Sequence, residues 1–171
     1  WLGCIIAPFI GGQIADRLLP TQLFLGVAHL LGGVLLYFTA VQQEFVPMWT
    51  WMFIYCLFYA PTLALTISIC FRNLENAEVE FGKIRMWGTI GWISVGWVVT
   101  FMRSQWHTEN WTGGSDLLMF AAVTSIIMGM FCFTLPKTPP VASQNNPLAF
   151  LEALSLLKDR NFLIFMMASF A

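Results

Sequence analysis

Arg85, Thr89, Trp92 and Gly96 recur at helical spacing. At 100° per residue they fall within about 60° of one another on a helix face. A guanidinium, a hydroxyl, an indole and a gap on one line do not suit lipid. A charge at mid-bilayer costs about 2.5–3.5 kcal/mol on insertion scales, so it usually faces a water-filled cavity. Such a line can stack on a flat polar ring and hydrogen-bond a hydroxylated sugar. From residue chemistry alone the alternative stays open: Arg85 snorkels to the membrane surface and Trp92 packs. Tyr59, Thr62 and Thr66 share a second helix face around Pro61, which withholds a backbone N–H and can bend the helix. Their hydroxyls either line a cavity or bond to a neighbouring helix. His29, inside an apolar run, either relays protons or serves as a neutral hydrogen-bond partner. Asp16 and Arg17 form a charged turn, which can cap the following helix or pair across an interface.

Other chemistries lack their residues. His107-Thr108-Glu109 has neither the spacing nor a third ligand for a metal site. There is no glycine-rich phosphate loop after a strand. Cys4, Cys56, Cys70 and Cys132 show no CxxC spacing and sit in apolar stretches, as small packing residues do. Neither a cofactor nor a metal is implied.

The elements that must position these residues follow from composition. Of 171 residues, 58% are hydrophobic and 10% charged, with a net charge of −1. An ordinary soluble domain carries about 25% charged residues. The shortfall excludes disorder and a water-soluble enzyme, and the absence of a basic face excludes nucleic-acid binding. Residues 23–41, 46–71, 86–102 and 117–136 contain no Asp, Glu, Lys or Arg. Each is close to the 20 or so residues that cross a bilayer as a helix. Residues 1–15 read as the end of an earlier span and 161–171 as the start of a later one, so the chain reads as an internal piece. Helices are required because lipid offers no partner to an open strand edge.

Positive charge orients the spans. Arg17, Arg72, Lys83, Arg85, Lys137, Lys158 and Arg160 fall on one side, and Arg103 alone on the other. The side with seven is expected to be cytoplasmic. Residues 42–47 make a tight outer turn, and 104–116 a longer outer loop that contains the glycosylation-like triplet Asn110-Trp111-Thr112. Residues 136–147 have linker composition. Asn146-Pro147 then suits a helix start, leading to an amphipathic stretch along the inner face. Gly3, Ala7, Gly11 and Ala15, and separately Gly26 and Gly32-Gly33, offer small-residue stripes for close helix packing. The complete spans hold no carboxylate, so a proton-coupling group is expected in helices outside this chain.

Two stretches carry a family resemblance. Gly12-Gln13-Ile14-Ala15-Asp16-Arg17 resembles the loop between helices two and three of the major facilitator superfamily. The resemblance implies that Asp16 and Arg17 belong to a cytoplasmic latch. Leu18-Leu19-Pro20-Thr21 stands where many members carry Gly and two basic residues. Arg85, Gly88, Thr89, Gly91 and Trp92 resemble the start of helix five of the nucleoside:proton symporters within that superfamily, and Tyr59-Ala60-Pro61-Thr62-Leu63 resembles helix four. This implies nucleoside contacts from Arg85, Thr89 and Trp92; Tyr59 and Thr62, by the face they share, are further candidates for the substrate site.

The expected fold is an all-α polytopic transmembrane bundle. Residues 1–135 form helices two to six of an amino-terminal half. Residues 136–147 form the cytoplasmic inter-half linker, and 148–171 an interfacial helix and the start of helix seven. The expected function is proton-driven nucleoside import across the cytoplasmic (inner) membrane, with nucleoside, proton and lipid as partners. The alternatives are a carrier for a sugar or drug, and a truncated membrane fragment that transports nothing.

Overall fold

A computed structural model describes residues 19–106, 115–139 and 163–164. The chain divides into two compact units, Trp1–Pro140 and Val141–Ala171, and the division falls inside the 136–147 stretch. The described residues of the first unit form four helices, in order: α1 (Thr21–Ala40), α2 (Phe45–Asn73), α3 (Ala77–Trp106) and α4 (Ser115–Cys132). No strand occurs among the described residues.

Helices α1, α2 and α4 are long and apolar enough to cross a membrane. The four-span expectation differs from this at α3, whose 30 residues are ample in length but not in apolarity. The physical reason lies in its composition. Trp87, Gly88, Thr89, Gly91 and Trp92 dilute the aliphatic content, and Arg85 and Arg103 bracket the uncharged run. The helix also begins well before that run, because charged residues at a helix end can sit in water or among headgroups.

Helix α1 is the hub, packed against α2 on one side and α4 on another. Its buried line is Thr21, Leu25, Ala28, Gly32, Leu36 and Thr39, whereas Val27, Leu31, Val34 and Phe38 are exposed. Both lines follow the helical period. In lipid, apolar burial alone does not hold helices together; close packing and hydrogen bonds do. The α1–α4 seam has both. A Cβ on Gly33 would lie 2.6 Å from Ile126 Cγ1 and 2.9 Å from the Ala122 carbonyl oxygen. One on Gly129 would lie 2.8 Å from Leu30 Cγ. Ser125 Oγ donates to the His29 carbonyl at 2.9 Å. The glycines foreseen at 26, 32 and 33 therefore do pack, and Gly129 is their counterpart on α4.

Backbone groups tie the other ends. The Thr21 N–H, an orphan donor of the first turn of α1, donates to the Thr138 carbonyl at 3.2 Å. The Thr138 N–H donates back to Gln22 Oε1 at 2.9 Å, and Arg72 Nη1 donates to the Pro139 carbonyl at 3.2 Å. Leu25, Leu65, Ile69 and Cys132 form a small core at this end. At the opposite end a cavity of about 340 Å³ is lined by Thr39, Gln42, Gln43, Met48, Ser115 and Leu118. Cys70 and Cys132 are free thiols, and Cys132 is fully buried. The 1–15 stripe, Cys4, His107, Asn110 and the 146–158 stretch lie outside the described residues.

Candidate functional site

Helix α3 is continuous from Ala77 to Trp106, so Arg85, Thr89, Trp92 and Gly96 share one face as their spacing requires. All four are exposed, Trp92 at 83%. A Cβ on Gly88, Gly91 or Gly96 would meet nothing within 4 Å. Helix α3 is thus the least covered element of the described chain. It meets α2 mainly at one end, where Phe71 and Phe81 stack with centroids 4.6 Å apart.

Tyr59 and Thr62 occupy the middle of α2, and the structure does not join them to the α3 line. Thr62 is 2% exposed, and its Oγ1 donates to the Tyr59 carbonyl at 2.6 Å. Thr66 Oγ1 donates to the Thr62 carbonyl at 2.7 Å. Both hydroxyls therefore bond within their own helix, across the stretch where Pro61 interrupts the regular ladder. Tyr59 stacks on Tyr55 at 5.3 Å and meets the His29 ring edge-on at 6.4 Å. His29 thus sits in an aromatic seam between α1 and α2, half-buried. Asp16 and Arg17 lie outside the described residues.

One polar contact escaped sequence reasoning. Arg103, near the end of α3, donates from Nε to Asp116 Oδ2 at 2.7 Å and from Nη2 to Oδ1 at 3.0 Å. The Asp116 side chain is 5% exposed. It lies in the first turn of α4, where the helix dipole favours an anion. The sequence signal was available. Arg103 falls 18 residues after Arg85, five turns of an α-helix, and Asp116 opens the next apolar run.

Comparison with known proteins agrees with this architecture. A crystal structure of the nucleoside transporter NupG (D323A mutant) superposes with a TM-score of 0.76 at 29% identity, over 97% of this chain and 42% of that one. The protein named "Putative nucleoside transporter YegT" of Escherichia coli (strain K12) is 37% identical over 99% of this chain. The nucleoside permease NupG and the xanthosine permease of the same strain are 29% and 30% identical, over 98% and 96% of the chain. The chain spans 40% of the length of each of these three relatives. All are transporters or permeases, not enzymes. The described chain is an all-helical membrane bundle with the NupG fold. Its residues 2–171 match the family described as "Nucleoside H+ symporter", and to that family the chain belongs.

Proposed function

We propose that the protein imports nucleosides by proton symport across the cytoplasmic membrane, alternating access between its two halves. The family match over residues 2–171 carries this reading, and the cation–hydroxyl–indole line of α3 supports it. In this reading α3 crosses the membrane as a fourth span, despite its lower apolarity. Arg85 and Thr89 hydrogen-bond the nucleoside and Trp92 stacks on its base. Tyr59 offers an aromatic wall from α2, and Thr62 shapes that wall through its bond to the Tyr59 carbonyl. Asp16 and Arg17 latch the cytoplasmic side. Residues 1–135 belong to one half, 136–147 to the linker and 148–171 to the entry into the other half. The positively charged loops face the cytoplasm. The coupling carboxylate belongs to helices beyond this chain, because the charge-free runs 23–41, 46–71, 86–102 and 117–136 carry none and Asp116, at the start of α4, is held by Arg103.

The test is uptake of labelled uridine into proteoliposomes by the full-length protein. Saturable uptake driven by an inward proton gradient supports the reading. Arg85→Ala removes a charge-assisted hydrogen bond of about 1.5–3 kcal/mol, so the apparent affinity falls by roughly 10- to 100-fold. Uptake of a sugar without any nucleoside, or no uptake at all, overturns it.

A further inference from the structure

We propose that the Arg103–Asp116 pair is a clasp that sets the rotation of α3 about its own axis. It thereby aims the Arg85–Thr89–Trp92 line, and both residues are positioning residues for transport. The consequence for transport rests on the proposed function; the geometry does not.

Three observations carry the inference. The first is register. Eighteen residues at 100° each return to the starting direction, so Arg103 lies on the same helix line as Arg85, about 27 Å further along. Trp92 and Gly96 fall on this line within about 20°, and Thr89 within about 40°. Whatever direction the Arg103 side of α3 is held in, the proposed substrate line faces with it.

The second is directionality. The Arg103 fork meets both carboxylate oxygens of Asp116. A planar two-point contact fixes angle as well as distance, which a single-point lysine contact cannot do. The Phe71–Phe81 stack near the other end of α3 is apolar and tolerates sliding. The fork is therefore the contact that resists turning.

The third is the rigidity of the anchor. Asp116 is nearly buried in the first turn of α4. Leu117 and Phe120 line a small gap with Val99 and Met102 beside the pair. Helix α4 is in turn held to α1 by the close approaches at Gly33 and Gly129 and by the Ser125–His29 hydrogen bond. A chain of contacts thus runs from the packed α1–α4 seam through Asp116 to the orientation of α3, whose middle is otherwise uncovered by the described chain.

The experiment uses the full-length protein with its native cysteines replaced. Gly96→Cys places a thiol on the Arg85 line, and Ser94→Cys places one on the opposite side of α3. Reaction rates with a water-soluble maleimide give a ratio that reports rotation. Arg103→Lys keeps the charge and removes the fork; Asp116→Asn is the second variant. Uridine uptake is measured alongside, in otherwise wild-type protein carrying the same clasp variants. The expected result is a changed Gly96/Ser94 labelling ratio together with a roughly tenfold weaker apparent affinity for uridine, with membrane insertion intact. An unchanged ratio in both variants overturns the clasp, whatever happens to uptake. A changed ratio with unchanged uridine affinity overturns the aiming role. If the parent protein carries no uridine while the ratio still shifts, the clasp stands and the nucleoside reading fails.

Discussion

Thr62 and Thr66 show how a polar atom survives in an apolar helix. Each hydroxyl returns its proton to a carbonyl three or four residues back, so neither requires a partner outside α2. Thr39, Thr50, Ser94 and Thr100 do the same. Sequence spacing revealed which face these residues share, but not whether a hydroxyl looks outward or bonds back, because both options leave the period unchanged. Thr89 differs from this group: no hydrogen bond among the described residues engages its hydroxyl. It is therefore the hydroxyl of the α3 line free to meet a ligand. Thr89→Val should weaken uridine binding about fivefold, the equivalent of about 1 kcal/mol for one neutral hydrogen bond, while insertion stays normal. Binding assays on the full-length protein check this. Failure to insert would make the residue structural.

At the scale of elements, the glycine seam between α1 and α4 is the tightest contact. Two effects oppose each other in Gly33→Ala. Alanine favours a helix by up to about 1 kcal/mol, whereas overpacking against fixed atoms costs about 1–3 kcal/mol. The new methyl group would meet the backbone carbonyl of Ala122 as well as Ile126, and a carbonyl cannot rotate away. Overpacking therefore wins, and thermal unfolding in detergent should show a lower midpoint for the variant. The stripe was legible because small residues in α1 recur on the helical period. Its partner was not, since choosing among helices depends on which surfaces fit, and Gly129 has no local mark that distinguishes it. Helix α3 was legible as a helix from its charge-free run. Its long amino-terminal extension was not, because helix propensity continues past the point where apolarity stops.

For the whole molecule, sidedness is the first quantity to check. The α1–α2 connection and the α2–α3 connection lie at opposite ends of α2. In intact cells, Gln43→Cys should react with an impermeant maleimide and Asn76→Cys should not, until the membrane is opened. The reverse pattern would invert the proposed orientation. Composition and the 3.6-residue period, acting alone, determined that this chain lives in lipid as helices and which residues share each helix face. Those properties are set by the solvent and by local backbone geometry, and both can be read along a single strand of text. Tertiary structure decided which faces meet: α1 as hub, Gly129 against Leu30, Tyr59 against His29, and Arg103 gripping Asp116. Such choices depend on shape and distance between residues as far apart in the chain as Gln22 and Thr138, and one-dimensional periodicity carries no information about them.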